Sequence, residues 1–269
     1  MTYPPTTNPI PMTPQPPPPN KRAPNVPRRP RTPPNRRDPY DGILLVDKPA
    51  DWTSHDVVAK LRSHFRLRKV GHGGTLDPAA TGLLVILLGR GTKLSERVMG
   101  TDKEYEGVMR LGVRTDTQDR DGNVIEERAW DGVTQAQVEA ELTRRCGDQM
   151  QVPPMVSAVK KDGVPLYKLA RKGREVEREP RLIHLYRFVC TGFEPPDVRF
   201  ALKCTKGTYV RTLCDEVGEA LACGAHLAQL RRTASGNMHV DQAHSLKKLC
   251  TETVEELGEH IIPIYAFAP

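Results

Sequence analysis

The sequence lacks the patterns that would place the chain in a membrane or around a metal. Its longest apolar run, 83–88, is far shorter than the ~18 residues that a membrane-spanning helix needs and fits a buried strand. The first residues lack the apolar segment of a secretory signal. None of the six cysteines forms a C-x-x-C pair, which argues against a zinc site and predicts reduced core thiols. We therefore expect a cytoplasmic protein without a bound metal.

Residues 41–269 also lack a bulk excess of positive charge. Seven basic residues against one acidic residue in 1–40 contribute +6 of the net charge of +7. The same segment holds 15 prolines, a composition that cannot bury a core, so we predict a disordered, Pro-rich basic tail over residues 1–40. It is either a solubilising extension or an arm that adds affinity for RNA phosphates. Unchanged RNA affinity and salt dependence after deletion of residues 1–38 would exclude the arm.

Strand and helix patterns are interspersed along residues 41–269 without strict βαβ alternation. This arrangement predicts an α+β fold with a mixed, mostly antiparallel sheet flanked by helices. Ser54 and Thr134 are the expected N-caps of two helices, and residues 121–123 are an expected turn. The expected strands are 42–47, 83–88, 104–113, 182–193 and 198–205, and the expected helical segments include 134–146, 167–172 and 210–222.

The densest cluster of informative residues is 70–84, which reads VGHGGTLDPAATGLL. It is not a P-loop, because no Gly-Lys-Ser/Thr follows at the required spacing, and Leu76 stands where G-x-G-x-x-G needs its last glycine. What remains is a tight loop that presents Asp77 before a buried strand. A single carboxylate without a nearby His, Cys or Ser partner suits nucleophilic or proton-transfer chemistry at a sugar or base. Taken alone, such an aspartate is more often a turn or capping residue.

The run 70–84 resembles the active-site motif of the TruB-type tRNA pseudouridine synthases. Further segments resemble motifs of that family in the expected order, and together they cover roughly residues 42–250. They are LVDKP at 45–49, KEY at 103–105 with LG at 111–112 and TDT at 115–117, PPMVSAVK at 153–160, KGTYVRTL at 206–213, and GAHL at 224–227 with LRR at 230–232.

The resemblance implies that Asp77 is the catalytic residue. It would promote cleavage of the N-glycosidic bond of the uridine at position 55, in the T-loop of tRNA, after which the base rotates and rejoins the ribose through carbon. The reaction implies no metal and no other cofactor. Arg211 would pair with Asp77 and keep it ionised. The resemblance implies four further substrate-binding residues: Tyr105 stacking on the uracil, Tyr209 lining the pocket, Leu230 as an apolar wall, and His72, expected to be exposed, filling the space of the flipped base.

The family also suggests how this chain holds RNA. Residues 153–180 resemble a mobile insertion that grips RNA. We expect phosphate contacts from its basic residues and from those before the glycine loop, namely Lys160, Lys161, Lys168, Arg171, Lys172, Arg174, Arg62, Arg66, Arg68 and Lys69. Asp51 replaces a usual glycine but is a residue type that tolerates positive φ. We expect one catalytic domain, 41–269, without the C-terminal PUA-type domain of many members.

These observations predict a monomeric enzyme whose partner is the T-arm of tRNA, and they leave three alternatives. A guide-dependent synthase of the same superfamily would carry the PUA-type domain. An RNA chaperone or binding module with the same fold would not need the set Asp77, Tyr105, Tyr209 and Arg211. A glycosidase usually needs two cooperating carboxylates, and only Asp77 stands out.

Overall fold

The computed structural model of the protein describes residues 40–157, 159–161, 163–170 and 173–267. Residues 1–39 of the expected tail, together with Arg171 and Lys172 of the expected insertion, lie outside the described residues. The predictions made for these segments therefore stay predictions. No helix within the described ranges combines the length and the apolar character needed to cross a membrane.

The described residues form a large sheet, small hairpins and short helices. The strands are β1 Gly42–Lys48, β2 Val70–His72, β3 Thr81–Leu88, β4 Lys103–Leu111, β5 Val113–Thr115, β6 Val124–Glu127, β7 Gly147–Gln151, β8 Lys160–Lys161, β9 Val164–Pro165, β10 Arg181–Glu194, β11 Asp197–Cys204, β12 Ala225–Ser235, β13 Met238–His239, β14 His244–Ser245 and β15 Ile262–Pro263. The α-helices are α1 Ser54–His64, α2 Ser95–Met99, α3 Gln135–Arg144, α4 Leu166–Ala170, α5 Val210–Ala220, α6 Leu246–Leu249 and α7 Val254–Glu259. Gly89–Leu94, Val240–Gln242 and Ile264–Phe267 are 3₁₀ helices.

The large sheet has 11 strands, and its main path runs β14-β1-β3-β12-β4-β11-β10-β7. Among the described strands of this sheet, β1 pairs with β14 and β3 with β12 in parallel, whereas the other pairs are antiparallel. The predicted α+β class with a mixed, mostly antiparallel sheet is confirmed. β12 connects the two halves of the sheet because it pairs with both β3 and β4.

The first half of the sheet is apolar on both faces. Leu44 and Val46 of β1 belong to a cluster with the helical residues Val57 and Leu61. The alternate residues of β1 join a separate cluster that includes Val98 of α2. Because strand side chains alternate between faces, the continuous apolar run of β1 buries both of its sides.

The second half of the sheet is apolar on one face, where β4, β10 and β11 pack against α3 and α5. Lys203 of β11 and Glu104 of β4 have exposed side chains, which form an ion pair at 3.0 Å. Tyr105 and Leu230 contact both the α3/α5 cluster and the α1 cluster. These two residues therefore mark the boundary between the two halves of the core.

The predicted helix starts are right for one helix and displaced by one residue for the other. Thr134 caps α3, as predicted, in a capping box with Gln137. The predicted N-cap Ser54 is wrong, because Thr53 caps α1 in a capping box with Asp56. The hydroxyl of Ser54 is engaged elsewhere, with the backbone of the segment that carries Asp77.

All six cysteines are free, as predicted, but only three of them lie in the core. Cys204, Cys214 and Cys223 are buried, whereas Cys190 and Cys250 are half-buried and Cys146 is exposed. Burial raises the pKa of the Cys204 thiol to about 12, so this group stays protonated at neutral pH. The expectation of six core thiols is therefore wrong for half of them.

Candidate active site

The loop that carries Asp77, residues 73–80 between β2 and β3, is called the Asp77 loop below. It is fixed from beneath by buried polar side chains. Ser54 is 2% exposed, and its Oγ accepts the Leu76 N–H at 2.8 Å while donating to the Leu76 carbonyl at 3.1 Å. The buried Lys48 Nζ donates to the Pro78 carbonyl at 2.9 Å. The residues on both sides of Asp77 are thus held by buried side chains.

Lys48 also makes two bonds to the turn that follows β1. Its Nζ also donates to the carbonyls of Pro49 at 2.9 Å and Trp52 at 2.6 Å. Burial lowers the pKa of Lys48 to about 8. Asp51, where the resemblance led us to expect a glycine, adopts φ 63° and donates its N–H to the Pro78 carbonyl at 2.9 Å. The expectation that aspartate tolerates this turn is confirmed.

Arg232 supports the start of the Asp77 loop from β12. Its buried guanidinium donates from Nε to the Leu83 carbonyl at 2.8 Å. Nη2 and Nη1 donate to the carbonyls of Gly74 at 3.2 Å and Thr75 at 3.4 Å. Because one guanidinium on β12 donates to three carbonyls, it fixes the Asp77 loop relative to this strand.

A cavity of about 410 Å³ opens beside the Asp77 loop. Its walls combine the Asp77 loop, β4, the start of α5 and β12 with the insertion residues Ser157 and Val159. Five of the six predicted site residues line it, namely Asp77, Tyr105, Tyr209, Arg211 and Leu230. The structure therefore brings together in one recess residues that are up to 153 positions apart in the printed sequence.

Arg211, which lines this cavity, lies between two carboxylates. Its side chain is 4% exposed, and Nη1 lies 3.6 Å from Asp77 Oδ2 and 3.2 Å from Asp119 Oδ2. Nη2 donates to the carbonyl of Val156, at the beginning of the insertion. Asp119 is itself fixed, since its Oδ1 accepts from Thr117 Oγ1 at 2.6 Å. One guanidinium thus joins the Asp77 loop, a second acid and the insertion.

The electrostatic balance at Asp77 differs from the expectation. Its side chain is 47% exposed, and it lies in the wall of the recess. Withdrawal from water in this recess raises the pKa of Asp77 above its ordinary value of 3.8. Arg211 acts in the predicted direction by lowering this pKa, whereas Asp119 raises it. The loss of hydration inside the recess outweighs the effect of Arg211, so the pKa of Asp77 is shifted upward rather than downward.

Two aromatic residues and one leucine shape the rest of the cavity. Burial raises the pKa of the Tyr105 phenol, and a hydrogen bond from Arg232 opposes that rise. Tyr209 precedes α5, and its backbone exchanges two bonds with the Gln151 amide, at 2.8 and 3.1 Å. The ring of Tyr209 lies 5.9 Å from Arg211 Cζ. Together with Leu230, these rings provide flat and apolar surfaces beside the carboxylate.

His72 is the predicted site residue that the structure does not place in the cavity wall. It is not among the described lining residues, and it is the last residue of β2, paired with Ile86. The expectation of an exposed histidine in a glycine loop is wrong, because His72 is half-buried and its Nδ1 is buried without a hydrogen-bond partner among the described residues. Burial lowers the pKa of His72, and Arg232 adds to that effect.

Three residues of this site were not singled out from the sequence: Asp119, Ser157 and Arg232 had no assigned role. Asp119 follows the TDT segment at 115–117, but nothing distinguishes it there from Asp116 or Asp121. Nor does the segment LRRT at 230–233 indicate that Arg232 would be buried. Within the described residues, no group of three or more His, Cys, Asp or Glu side chains is arranged to hold a metal ion.

The basic residues expected to contact phosphates lie on the surface where the structure describes them. Arg62, Arg66 and Lys69 near the end of α1 are exposed. In the insertion, the exposed basic residues include Lys161, Lys168 and Arg174. The Nζ of Lys161 donates to the Glu177 carbonyl at 2.7 Å, which links two segments of the insertion.

Comparison with known proteins gives consistent matches over most of the chain. Residues 62–210 match the model of the TruB family pseudouridylate synthase N-terminal domain. Residues 211–266 match the tRNA pseudouridylate synthase B C-terminal domain. The chain is 50% identical over 233 residues to the tRNA pseudouridine synthase B of Opitutus terrae, which covers 87% of this chain and 97% of the relative. It is 48% identical over 209 residues to the Geobacter sulfurreducens protein of the same name, covering 78% and 69%.

A solved structure shares the fold. The chain aligns with a protein in a crystal structure of a Cbf5-Nop10-Gar1 complex at 29% identity and a TM-score of 0.66. The alignment covers 84% of this chain and 61% of that chain, so the present chain spans less than two thirds of that protein's length.

Proposed function

The chain belongs to the TruB family of pseudouridylate synthases, and on that premise we propose that it isomerises the T-loop uridine of tRNA to pseudouridine with Asp77 as the catalytic residue. The observation that carries the assignment of Asp77 is its position in a recess walled by Tyr105 and Leu230, 3.6 Å from the buried Arg211 guanidinium. This recess offers the Asp77 carboxylate, the Arg211 guanidinium as its fixed counter-charge and room for a base. The names of the relatives in Opitutus terrae and Geobacter sulfurreducens support tRNA as the substrate.

The proposed reaction starts with a uridine turned out of its loop. A base inside a folded RNA must leave its stack before its glycosidic bond can be reached, and an aromatic surface offsets part of that cost. Tyr105 supplies such a surface in the cavity wall, and Leu230 supplies an apolar one. We propose that the ribose faces the Asp77 carboxylate and that the base lies against Tyr105 and Leu230.

The chemistry exchanges one bond for another without net oxidation. The bond between N1 of uracil and C1′ of ribose breaks, the base rotates, and C5 forms a bond to C1′. C5 loses its proton, and N1 ends with one. Asp77 either attacks C1′ or removes a ribose proton, and both routes need its ionised form. Arg211 lowers the pKa of Asp77 and thereby favours that form against the effect of burial.

The exposed basic residues that precede β2 and those of the insertion support an RNA substrate. Arg62, Arg66 and Lys69 lie just before β2, which leads into the Asp77 loop, and the insertion carries further basic residues. We propose that they contact phosphates, because backbone contacts fix the register of a nucleic acid without reading its sequence. We further propose that the protein acts in the cytoplasm as a monomer, and a sedimented mass of twice 30.0 kDa with tRNA absent would contradict that state.

The test is to map pseudouridine at each position of unmodified tRNA transcripts with the wild type and Asp77→Asn. We expect the wild type to modify the T-loop uridine alone and Asp77→Asn to modify none while still binding tRNA. Asp131→Asn, a substitution of an exposed acid, is the matched control and should keep full activity. If wild type and Asp77→Asn both bind tRNA and neither modifies it, the protein is an RNA-binding module and the proposed enzyme activity is wrong.

A further inference from the structure

A buried serine hydroxyl in the cavity wall has no protein partner. Ser157 is 5% exposed and lines the cavity together with Asp77 and Arg211. Its Oγ makes no hydrogen bond to any described residue. Buried hydroxyl groups in folded proteins are nearly always paired, so an orphan in the wall of a binding cavity marks a position where a ligand supplies the missing partner.

The position of Ser157 is fixed by its neighbours. Its backbone N–H donates to the Met155 carbonyl at 3.0 Å, and the adjacent Val156 carbonyl accepts from Arg211 Nη2. Upstream, the Pro153 carbonyl accepts from Arg178 Nη1 at 3.4 Å. The guanidinium that faces Asp77 therefore also anchors the segment that carries Ser157.

A second orphaned atom lies in the wall of the same cavity. Nε of Arg211 is buried without a hydrogen-bond partner among the described residues, although both terminal nitrogens of that guanidinium have oxygen neighbours. By contrast, the cationic groups of Lys103 and Arg232, which also line the cavity, donate to backbone carbonyls. Unused hydrogen-bonding capacity is thus found at Ser157 and Arg211, on the insertion side of Asp77.

A uracil placed in this cavity needs such a partner. Its ring faces can rest on Tyr105 and Leu230, but its edge carries two carbonyl oxygens and an N–H, which lose water when the base enters. Their burial without partners is unfavourable. A serine hydroxyl both donates and accepts, so it can pair with any of these atoms.

We propose that Ser157 is a substrate-contact residue whose hydroxyl hydrogen-bonds to the polar edge of the flipped-out uracil. The inference rests on the proposed function and deepens it, because it makes the insertion a part of the base pocket as well as a grip on the RNA. It assigns base recognition to a residue of the insertion and bond cleavage to a residue of the Asp77 loop.

The test compares binding of two tRNAs to proteins that carry Asp77→Asn, which prevents turnover. One tRNA has uridine at the target position and the other has an abasic ribose there. We expect Ser157→Ala to weaken binding of the uridine tRNA about 3- to 10-fold, the loss of one neutral hydrogen bond, and to leave the abasic tRNA unaffected. Ser157→Thr, which keeps a hydroxyl, should restore part of the preference for uridine.

Ser54→Ala is the matched control, because it removes an equally buried hydroxyl whose partners are all protein atoms. It should change the two affinities by the same factor. If Ser157→Ala weakens both tRNAs equally, or neither, the proposed contact with the base is wrong. Pseudouridine formation by the protein with Asp77 intact, on the same uridine tRNA, keeps the two proposals apart. If the protein with Asp77 intact forms no pseudouridine, the proposed function fails and the inference fails with it. If it forms pseudouridine but Ser157→Ala leaves the preference for the uridine tRNA unchanged, only the inference fails.

Discussion

The Asp77 loop and the insertion both line one cavity, and they differ in how their polar groups are used. Each side contributes a buried serine: Ser54, beneath the Asp77 loop, is 2% exposed, and Ser157, on the insertion, is 5% exposed. Ser54 makes two hydrogen bonds to the backbone of Leu76, whereas the hydroxyl of Ser157 makes none to the described residues. The two hydroxyl groups are therefore almost equally buried, but only that of Ser54 has hydrogen-bond partners among the described residues.

This difference indicates that the polar groups around the Asp77 loop position the carboxylate, whereas the Ser157 hydroxyl of the insertion is available to bind the substrate. Lys48 and Arg232 donate to carbonyls of the Asp77 loop or its neighbours, so the carboxylate is positioned before any substrate arrives. A reacting group held in place needs no reorganisation during the reaction. On the insertion side, the unused capacity of Ser157 is suited to a partner that comes and goes. Arg211 belongs to both sides, since it contacts Asp77 and the Val156 carbonyl.

The largest effect is expected where the two sides meet. Arg211→Gln removes the counter-charge from Asp77 and Asp119 and one anchor of the insertion. We expect kcat/KM to fall about 100-fold or more, the magnitude usual for losing one fixed electrostatic contact to a reacting group. Pseudouridine formation within the tRNA, followed under single-turnover conditions over a range of enzyme concentrations, measures this. A loss below about 3-fold would show that Asp77 functions without its guanidinium partner.

The pH dependence of the same reaction sharpens this result. Activity needs ionised Asp77, so it is lost as the pH falls through the pKa of that group, which burial raises above 3.8. Because Arg211 lowers this pKa, its removal should move the acidic limb to higher pH. Because Asp119 raises it, Asp119→Asn should move the limb to lower pH. Shifts in the same direction for both variants would contradict this electrostatic account.

A smaller effect, on stability rather than on chemistry, is expected beneath the Asp77 loop. Arg232→Met leaves the carbonyls of Leu83, Gly74 and Thr75 without their donor in a buried place. We expect the free energy of unfolding to fall by about 3 kcal/mol, since each unpaired buried group costs about 1–3 kcal/mol and part of the site rehydrates. Urea denaturation measures this. The exposed pair Glu104–Lys203 is the control, and Lys203→Met should cost less than about 1 kcal/mol.

The strands and helices with uninterrupted periodicity were predictable from the sequence. β1 and β3 are continuous apolar runs, and α3 has a capping box and a buried face. β12 was not predicted as a strand although it occupies the middle of the sheet. Register shifts between Leu227 and Gln229 and between Arg232 and Ala234 break its alternation. The burial of a charged residue in it depends on carbonyls about 150 positions away, which no local pattern reveals.

The candidate site divides in the same way. Asp77, Tyr105, Tyr209, Arg211 and Leu230 lie in segments that carry a recognisable family resemblance. Their assigned roles are proposals that their common cavity supports. The roles of Asp119 and Ser157 are visible only in the folded structure. Asp119 contacts an arginine 92 positions away in the sequence, and Ser157 lines the same cavity as Asp77. His72 shows the converse, because its glycine-flanked position suggested exposure while strand pairing half-buries it.

The smallest expected effect is the most direct test of the comparison between the two sides. Ser54→Ala should lower the free energy of unfolding by about 2 kcal/mol, because it leaves the Leu76 N–H and carbonyl buried without partners. Ser157→Ala removes a hydroxyl that has no partner among the described residues, so it should change the same quantity by less than about 0.5 kcal/mol. Chemical denaturation of both variants without tRNA measures the pair. Equal destabilisation would mean that Ser157 supports the fold as Ser54 does. A loss confined to Ser54→Ala would mean that burial of the Ser157 hydroxyl contributes nothing to the free protein, which leaves the bound nucleotide as the reason for its position.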